Sequence, residues 1–332
     1  MASTSATLRY VDDSAPGIGR RWRYERWHYF RPDGECIKAA EEVERLNGLA
    51  VPPAYENVWY CLWPNGHLQA TGRDARGRKQ YRYHPEYRAQ READKFSRTV
   101  SFGEALPAMR ERVAMDLRRR NLSRERMLAA TVRLLDVGRL RIGNEDYARR
   151  NDTQGATTLT EDEVDIRGDR LYLDYTAKGG KRRQIHVEDG SLARLARRCQ
   201  DLPGQHLFAW EDEDGEAHDV SSDEVNDYIR ATMGEDFTAK HFRTWHASAI
   251  AYREIMAVDG DLTLKAMLTP VAEELGNTIT VSRKSYVHPA LVDWVKSEAG
   301  AGAATAAGLP LPEEGAYLAP HERGLLDFLN GR

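Results

Sequence analysis

Cysteines are few in this chain, and their number and spacing limit its class. The 332 residues include three cysteines, Cys36, Cys61 and Cys199, which lie far apart and form no C-x-x-C pair. An odd, scattered set argues against a disulfide framework and against a cysteine-ligated metal site. We expect three reduced packing residues in a cytosolic protein.

The sequence also has no recognisable transmembrane segment or secretory signal. No apolar run reaches the roughly 18 residues of a transmembrane helix, and 30% of the residues are charged. Residues 1–12 lack the apolar core of a secretory signal, and no internal repeat is present. We expect a protein without a membrane partner.

Positively charged residues are unevenly distributed along the chain. The formal net charge is -4, yet residues 73–150 contain 21 Lys+Arg against 11 Asp+Glu. A basic segment inside an acidic chain is typical of nucleic-acid binding. The alternative is a solvated helix face, for which the arginine-rich residues 116–126 are suited.

The length suits two domains, and the first 90 residues have the pattern of a small β-rich one. Turn residues at 32–34 and the pair Asn65-Gly66 separate segments with β-type alternation. We predict one helix at 38–49 and strands at 20–30, 57–63, 67–72 and 79–84.

Helical spacing dominates from residue 85 onward. Ser123 is a candidate cap for a helix at 124–135, and Gly-rich turns join a three-stranded meander. We predict helical structure over 85–151, strands at 164–166, 171–176 and 184–187, and helices at 190–200, 222–233, 238–256 and 262–275. The predicted class is α+β: a β-rich domain at 1–90, a mainly helical domain with the meander at 91–298, and at 299–332 an Ala/Gly/Pro-rich linker before a short helix.

Cations alternate with aromatic residues across a turn and into a strand at 72–83. Cations suit phosphates, and tyrosines suit sugar or base edges. The DNA-binding candidates here are Arg73, Arg78, Lys79, Gln80, Tyr81 and Tyr83. The alternative is an edge strand that charged residues keep from pairing.

Tyr286 stands out because Arg283, Lys284 and two serines precede it directly. A phenol with an ordinary pKa of ~10 is a poor nucleophile unless positive charge and hydrogen-bond donors surround it. This grouping favours attack on a phosphate, with Arg283 and Lys284 as further DNA contacts. The alternative is an exposed basic turn beside a half-buried ring.

Three further cations occupy positions that suit an anion. Lys178 lies at a glycine-rich hairpin tip, where it is either solvated or able to enter a groove. Lys240 and Arg243 are three residues apart near the start of a predicted helix. They would share a face where backbone N–H groups favour anions.

Several motifs together resemble the type IB DNA topoisomerases, in their compact poxviral and bacterial form. The looser matches are at 51–55 and 77–81. The main ones, in family order, are Arg-Ile-Gly-Asn-Glu at 141–145, Thr-Ala-Lys-Gly-Gly-Lys at 176–181, Thr-Ala-Lys-His-Phe-Arg-Thr-Trp at 238–245, Asn277, and Ser-Arg-Lys-Ser-Tyr at 282–286.

The resemblance implies a monomeric clamp around double-stranded DNA that relaxes supercoils without ATP or metal, in the cytoplasm at a bacterial nucleoid. It also implies a topoisomerase-like catalytic fold and a transient 3′-phosphotyrosyl link. By position in the motifs, the implied roles are Tyr286 as nucleophile, Arg141 and Arg243 as phosphate clamp, Lys178 as general acid, Asn277 as phosphate-binding amide, and Lys240 as a further active-site lysine.

Two alternatives stay open at this point. Tyrosine recombinases share this chemistry, but they usually have histidine three residues before the second arginine, where this chain has Lys240 before Arg243. A non-catalytic DNA-binding module would hold phosphates without nicking. Two residues depart from the family pattern, His241 and His246, and we expect both to be helix-surface histidines.

Overall fold

The computed structural model describes residues 7–200, 206–234, 237–258, 261–297, 313, 315 and 317–331. The chain divides into two compact units, Met1–Lys95 and Phe96–Arg332. No helix in this described part is long and apolar enough to span a membrane. The linker predicted at 299–311 lies outside the described residues.

The described residues of the first unit form a β-hairpin, a three-stranded antiparallel sheet, helix α1 (Ala40–Gly48) and the start of a longer helix. Two strands form the hairpin, and three further strands form the sheet, in which they lie side by side in chain order. Ile18 and Tyr60 link hairpin and sheet through paired backbone hydrogen bonds. Ile18, Tyr60 and Leu46 are buried in the core of the unit. The strands are β1 (Gly19–Arg23), β2 (Arg26–Phe30), β3 (Glu56–Tyr60), β4 (Leu68–Arg73) and β5 (Lys79–Tyr83).

The single strand predicted at 20–30 is wrong, because this segment is the β1–β2 hairpin. Tyr24 and Glu25 form its two-residue turn and both have positive φ, at 49° and 61°. Such turns usually contain Asn or Gly, so this turn carries no signal in the sequence. One signal was visible in the aromatic residues: the positions of Trp22 and Trp27 differ by five, which one continuous strand would place on opposite faces, and the two residues pair across the hairpin.

The second unit is mainly helical around one three-stranded meander, so the predicted α+β class is confirmed. Helix α2 (Pro85–Leu117) begins in the first unit and continues in the second. The strands are β6 (Val164–Arg167), β7 (Arg170–Ala177), β8 (Lys181–Glu188) and a short pair, β9 (Ala209–Glu211) and β10 (Ala217–Asp219). The other helices are α3 (Arg124–Gly138), α4 (Glu145–Asn151), α5 (Gly190–Cys199), α6 (Ser222–Met233), α7 (Ala239–Ala257), α8 (Leu264–Leu275), α9 (Ile279–Ser285), α10 (Pro289–Lys296) and α11 (Pro320–Leu329).

Helix α7 is the centre of this unit. It is buried on nearly every side after its first turn, as expected of a helix enclosed by others rather than lying on a surface. Trp245 and Phe242 pack beside Phe102 from α2. The position of α7 therefore depends on the neighbours that surround it.

Most helices and the meander agree with the sequence-based prediction, whereas α9, α10, β9 and β10 were not predicted. Ser123 does lie at the N-cap of α3, but its side chain makes no capping hydrogen bond. The predicted C-terminal helix forms as α11, and Leu325 and Leu326 bury it in the core of the second unit.

Candidate active site

Arg141 is held by the irregular chain that follows α3. Arg139 adopts a left-handed conformation, with φ of 54°, and reverses the chain at the helix end. The carbonyl of Arg141 then accepts a hydrogen bond from Ala156 at 2.8 Å. Gly155 permits this approach, because a Cβ there would lie 2.7 Å from the Arg141 carbonyl oxygen. The backbone of Arg141 is therefore fixed before any ligand binds.

Arg243 is a buried cation on α7, with 4% of its surface exposed. Its guanidinium donates to the carbonyl of Arg139 and, at 2.8 Å, to that of Leu275. Burial, together with neighbouring Arg141, lowers the pKa of Arg243 to about 10, which leaves the group charged at neutral pH. The carbonyls hold the charge in place without neutralising it.

Tyr286 directly follows α9 and is buried, with 7% of its surface exposed. Arg141 Nη1 donates to its hydroxyl at 3.0 Å, and the Arg243 guanidinium carbon lies 5.2 Å from the ring centroid. Burial raises the pKa of the phenol, but the charges of Arg243 and Arg141 outweigh it, so the pKa lies below its ordinary value of 10.0. The alternative of a basic turn beside a half-buried ring is wrong, because the preceding residues form helix α9 and the Tyr286 ring is buried, although Arg283 and Lys284 themselves are exposed.

Arg141 also links the tyrosine to Asn277. Its Nη2 donates to Asn277 Oδ1 at 3.0 Å, while Asn277 Nδ2 is buried and has no hydrogen-bond partner among the described residues. The amide thus retains a donor for a ligand. Asn277 follows Gly276, which ends α8 in a left-handed conformation with φ of 65°.

Lys178 extends over the same region from the β7–β8 turn. Gly179 and Gly180 have positive φ, at 88° and 75°, and leave the turn open. The lysine side chain is exposed, and its Nζ lies 5.5 Å from the ring centroid of Tyr147. A cavity of about 230 Å³ is lined by Arg139, Arg141, Gln154, Tyr175, Ala177, Lys178, Lys181, Arg183, Arg243, Leu275, Gly276, Asn277, Thr278 and Val281.

Four of the six predicted catalytic residues thus line one cavity, and Tyr286 contacts two of them. Lys240 is the exception: it is exposed on the first turn of α7 and does not line the cavity. Its three-residue spacing from Arg243 made the two neighbours on the helix, but α7 is buried only beyond that turn. Arg283 and Lys284 are exposed in the last turn of α9, just before Tyr286.

The remaining predicted DNA contacts lie in the first unit, on β4, β5 and their connecting turn. They are Arg73, Arg78, Lys79, Gln80, Tyr81 and Tyr83. Acidic neighbours pair with part of this surface: Asp74 accepts from Arg78 at 2.9 Å and Gln80 at 3.0 Å, and Lys79 contacts Asp13 at 2.6 Å. These ion pairs are at the surface, where a phosphate can replace the carboxylate at little cost.

Two residues of the site were missed in the sequence. Arg183 lines the cavity and donates to the carbonyls of Glu273 and Glu274 at 2.8 and 2.9 Å, which ties β8 to the end of α8. Alternation on β8, which places Arg183 on the inner face with Val187, was an available signal. Ser248 accepts from the backbone N–H of His288 at 3.0 Å and so holds the segment after Tyr286; no sequence pattern indicated this.

The ionisation of Tyr286 gives a first prediction. In an ultraviolet pH titration, the difference between the wild type and Tyr286→Phe should show one phenol that ionises below pH 10, because Arg243 and Arg141 favour the phenolate. Arg141→Ala removes one of these charges and should move that ionisation to higher pH. A difference spectrum that develops only above pH 10 would contradict the electrostatic account.

The arrangement is suited to a phosphodiester. Two fixed guanidiniums, an amide donor and a lysine on an open turn line one cavity. A buried tyrosine with a lowered pKa contacts both guanidiniums. Guanidiniums bind phosphate oxygens in a fixed geometry and never lose their charge at neutral pH. Such a site can hold a phosphate and attack it.

Comparisons with known proteins identify the family of the chain. A model of the eukaryotic DNA topoisomerase I catalytic core matches residues 84–294, and a model of the bacterial DNA topoisomerase IB N-terminal domain matches residues 26–74. The chain is also similar to the DNA topoisomerase 1B of Acanthamoeba polyphaga mimivirus, with 30% identity over 285 residues, which cover 82% of this chain and 85% of the relative. The protein is an isomerase that acts on DNA. It belongs to the type IB DNA topoisomerase family.

Proposed function

We propose that this topoisomerase relaxes supercoiled duplex DNA by transient cleavage of one strand through a 3′-phosphotyrosyl link at Tyr286, without ATP or metal. The observation that carries the proposal is the single guanidinium of Arg141, which donates to both Tyr286 Oη and Asn277 Oδ1 at 3.0 Å. A phosphate between these groups would lie beside the nucleophile and the clamp at once.

In the proposed cleavage step, Tyr286 Oη bonds to phosphorus and the bond from phosphorus to the 5′-oxygen breaks. The phenol releases its proton to solvent water, which its lowered pKa favours, and the leaving 5′-oxygen gains a proton from Lys178. Rotation of the free end then removes supercoils. Religation reverses the step: the 5′-hydroxyl attacks the phosphotyrosine, and the phenol leaves.

The two arginines stabilise the charge that grows on the non-bridging oxygens during attack. Preorganised donors of this kind are among the largest contributors to enzymatic rate acceleration, because they need no rearrangement when the charge appears. Arg243 is held by two carbonyls, and Arg141 by its fixed backbone. Asn277 adds one N–H donor and cannot exchange a proton, so its proposed role is binding.

DNA contact outside the cavity is assigned to exposed cations and aromatic rings. Arg283 and Lys284 lie beside Tyr286, and exposed Lys240 contacts DNA next to the cleaved phosphate in this proposal. In the first unit, the Tyr81 and Tyr83 rings stack, with centroids 6.0 Å apart and planes 7° apart, and offer a flat surface to sugars or bases. We assign DNA clamping by a monomer to residues 1–90 and catalysis to residues 91–298, in the cytoplasm at the nucleoid of a bacterium.

Relaxation of a plasmid tests the proposal directly. Purified protein is incubated with negatively supercoiled plasmid in excess chelator without nucleotide, and the products are separated on a gel. We expect a ladder of relaxed topoisomers. Binding without any change in topology, at all protein concentrations, would instead indicate a non-catalytic DNA-binding module.

A further inference from the structure

A cluster of buried polar side chains lies beneath the active-site helix α7. Arg110 of α2 donates two hydrogen bonds to Asp136 of α3, at 2.8 and 2.9 Å, and two to Glu322 of α11, at 2.6 and 2.8 Å. From α7, Trp245 Nε1 bonds Glu322 at 2.9 Å and His246 Nε2 bonds Asp136 at 2.8 Å. These five residues, here called the buried cluster, join four helices.

His246 was expected on the helix surface, and this is wrong: only 7% of it is exposed. Its carboxylate partner lies 110 residues earlier in the chain, so no local pattern could indicate it. His241, the other departure from the family pattern, is half-buried and caps α7, since its Nδ1 accepts from the backbone N–H of Thr238 at 3.0 Å.

The buried cluster lies close in sequence to both clamp arginines. Asp136 precedes Arg139 by three residues, and the Arg139 carbonyl accepts from Arg243. On α7, His246 follows Arg243 by three residues, about one helical turn. The His246–Asp136 hydrogen bond therefore fixes the end of α3 against α7 within one turn of the contact that holds Arg243. Arg141 follows from the same end of α3.

The C-terminal helix α11 completes the cluster through Glu322. This carboxylate accepts hydrogen bonds from Arg110, from Trp245 and from the backbone N–H of Ala319, the N-cap residue of α11. Burial raises the pKa of Glu322, but the positive charge of Arg110 outweighs it, so the pKa is lowered. Packing beside it is close: a Cβ at Gly324 would lie 2.7 Å from the Tyr252 ring. Helix α11 thus has one defined position against α7.

We propose that His246, Asp136, Arg110 and Glu322 are positioning residues for the phosphate clamp, and that α11 is thereby part of the catalytic apparatus. This inference rests on the proposed function. None of the four touches the reacting atoms. They set the spacing between the end of α3 and α7, and hence the distance between Arg141 and Arg243 across the phosphate.

The test separates the rate of cleavage from the fraction of active protein. Single-turnover cleavage is measured on a duplex that carries a site mapped with the wild-type enzyme, and each time course yields a rate constant and an amplitude. We expect His246→Leu to lower the rate constant tenfold to hundredfold, on the order of the loss that a displacement of about 1 Å causes. Amplitude and DNA affinity should stay near the wild-type values, because Arg110 still pairs with Asp136.

Conservative and matched variants distinguish positioning from general damage. His246→Gln keeps an N–H donor at similar reach and should recover most of the rate, whereas His186→Leu, at an exposed histidine of β8, should leave it unchanged. A substrate with sulfur at the bridging 5′ position should not rescue His246→Leu, because the clamp acts on the non-bridging oxygens. If His246→Leu does not fold, Trp245→Phe serves in its place, since it removes the donor to Glu322 together with one ring of the buried indole.

A wild-type rate constant in His246→Leu, or in Trp245→Phe where that variant replaces it, would overturn the proposal and leave the cluster a stabilising role alone. A loss confined to amplitude would do the same. Recovery of His246→Leu by the sulfur substrate would overturn it too, since the defect would then concern the leaving group. Failure of the proposed function is a separate result, because the wild type itself would then form no covalent adduct.

Discussion

Tyr286→Phe should abolish both plasmid relaxation and the covalent protein–DNA adduct while DNA binding persists. The substitution removes one hydroxyl and keeps the ring that packs beside Arg243, so the fold and the charged cavity remain. Without that oxygen no bond to phosphorus can form. The measurement is denaturant trapping of labelled DNA on the protein, alongside an equilibrium binding curve for the same variant.

A matched control is Tyr172→Phe, which removes a hydroxyl from a half-buried tyrosine of β7 outside the cavity. It should cleave like the wild type. An adduct formed by Tyr286→Phe would show that another tyrosine attacks the phosphate. Tyr175, which lines the cavity, would then be examined first, and Tyr252 of α7 second.

The candidate catalytic residues could be predicted because their chemistry is tied to residue type and to motif order. Arg141 and Tyr286 are 145 residues apart, yet the structure places the guanidinium 3.0 Å from the hydroxyl. Neither residue's local pattern contains that distance. The resemblance to a family supplied the roles of the two residues, and elementary phosphate chemistry explained why these residue types belong together.

The burial and the contact partners of individual residues were harder to predict than which residues belong to the candidate site. Lys240 and Arg243 are neighbours on one helix, but one is exposed and the other buried, because elements distant in sequence cover α7 only from its second turn onward. His246 and Glu322 depend on partners 110 and 212 residues away. Burial that depends on such contacts leaves no periodic trace in a single sequence.

Short helices were missed for a different reason. Helices α9 and α10 span 7 and 8 residues, too few for a 3.6-residue period to show. Their starts did carry signals: the Thr278 side chain accepts from Val281 at 3.2 Å as an N-cap, and Pro289 occupies the first turn of α10. Both are common helix starts, so a search for caps rather than periods would have found them.

Lys178→Ala should slow cleavage by ~10²–10⁴, the usual contribution of a general acid. The reason is that the 5′-oxygen is a poor leaving group without a proton, and Lys178 lines the cavity from the open turn. A slow mutant alone does not prove proton transfer, since loss of a phosphate contact slows the reaction too. The decisive measurement uses DNA with sulfur at the bridging 5′ position of the cleavage site.

Sulfur leaves as a thiolate and needs no proton, so Lys178→Ala should cleave this substrate at nearly the wild-type rate. Arg141→Ala provides the matched control. It lacks stabilisation of the non-bridging oxygens, which sulfur at the bridging position does not replace, and it should remain slow on both substrates. The pair of variants thus separates protonation of the leaving group from stabilisation of the transition-state charge.

If Lys178→Ala cleaves the sulfur substrate as slowly as it cleaves ordinary DNA, the proton comes from another group. The sequence suggested Lys240, as a further active-site lysine, but Lys240 is exposed and does not line the cavity. Lys181 does line the cavity, at the other end of the Gly-Gly turn from Lys178. Lys181→Ala would then be expected to show the sulfur rescue that Lys178→Ala lacks. Only two glycines separate the two lysines in this turn, both lysines line the cavity, and the leaving-group effect decides between them.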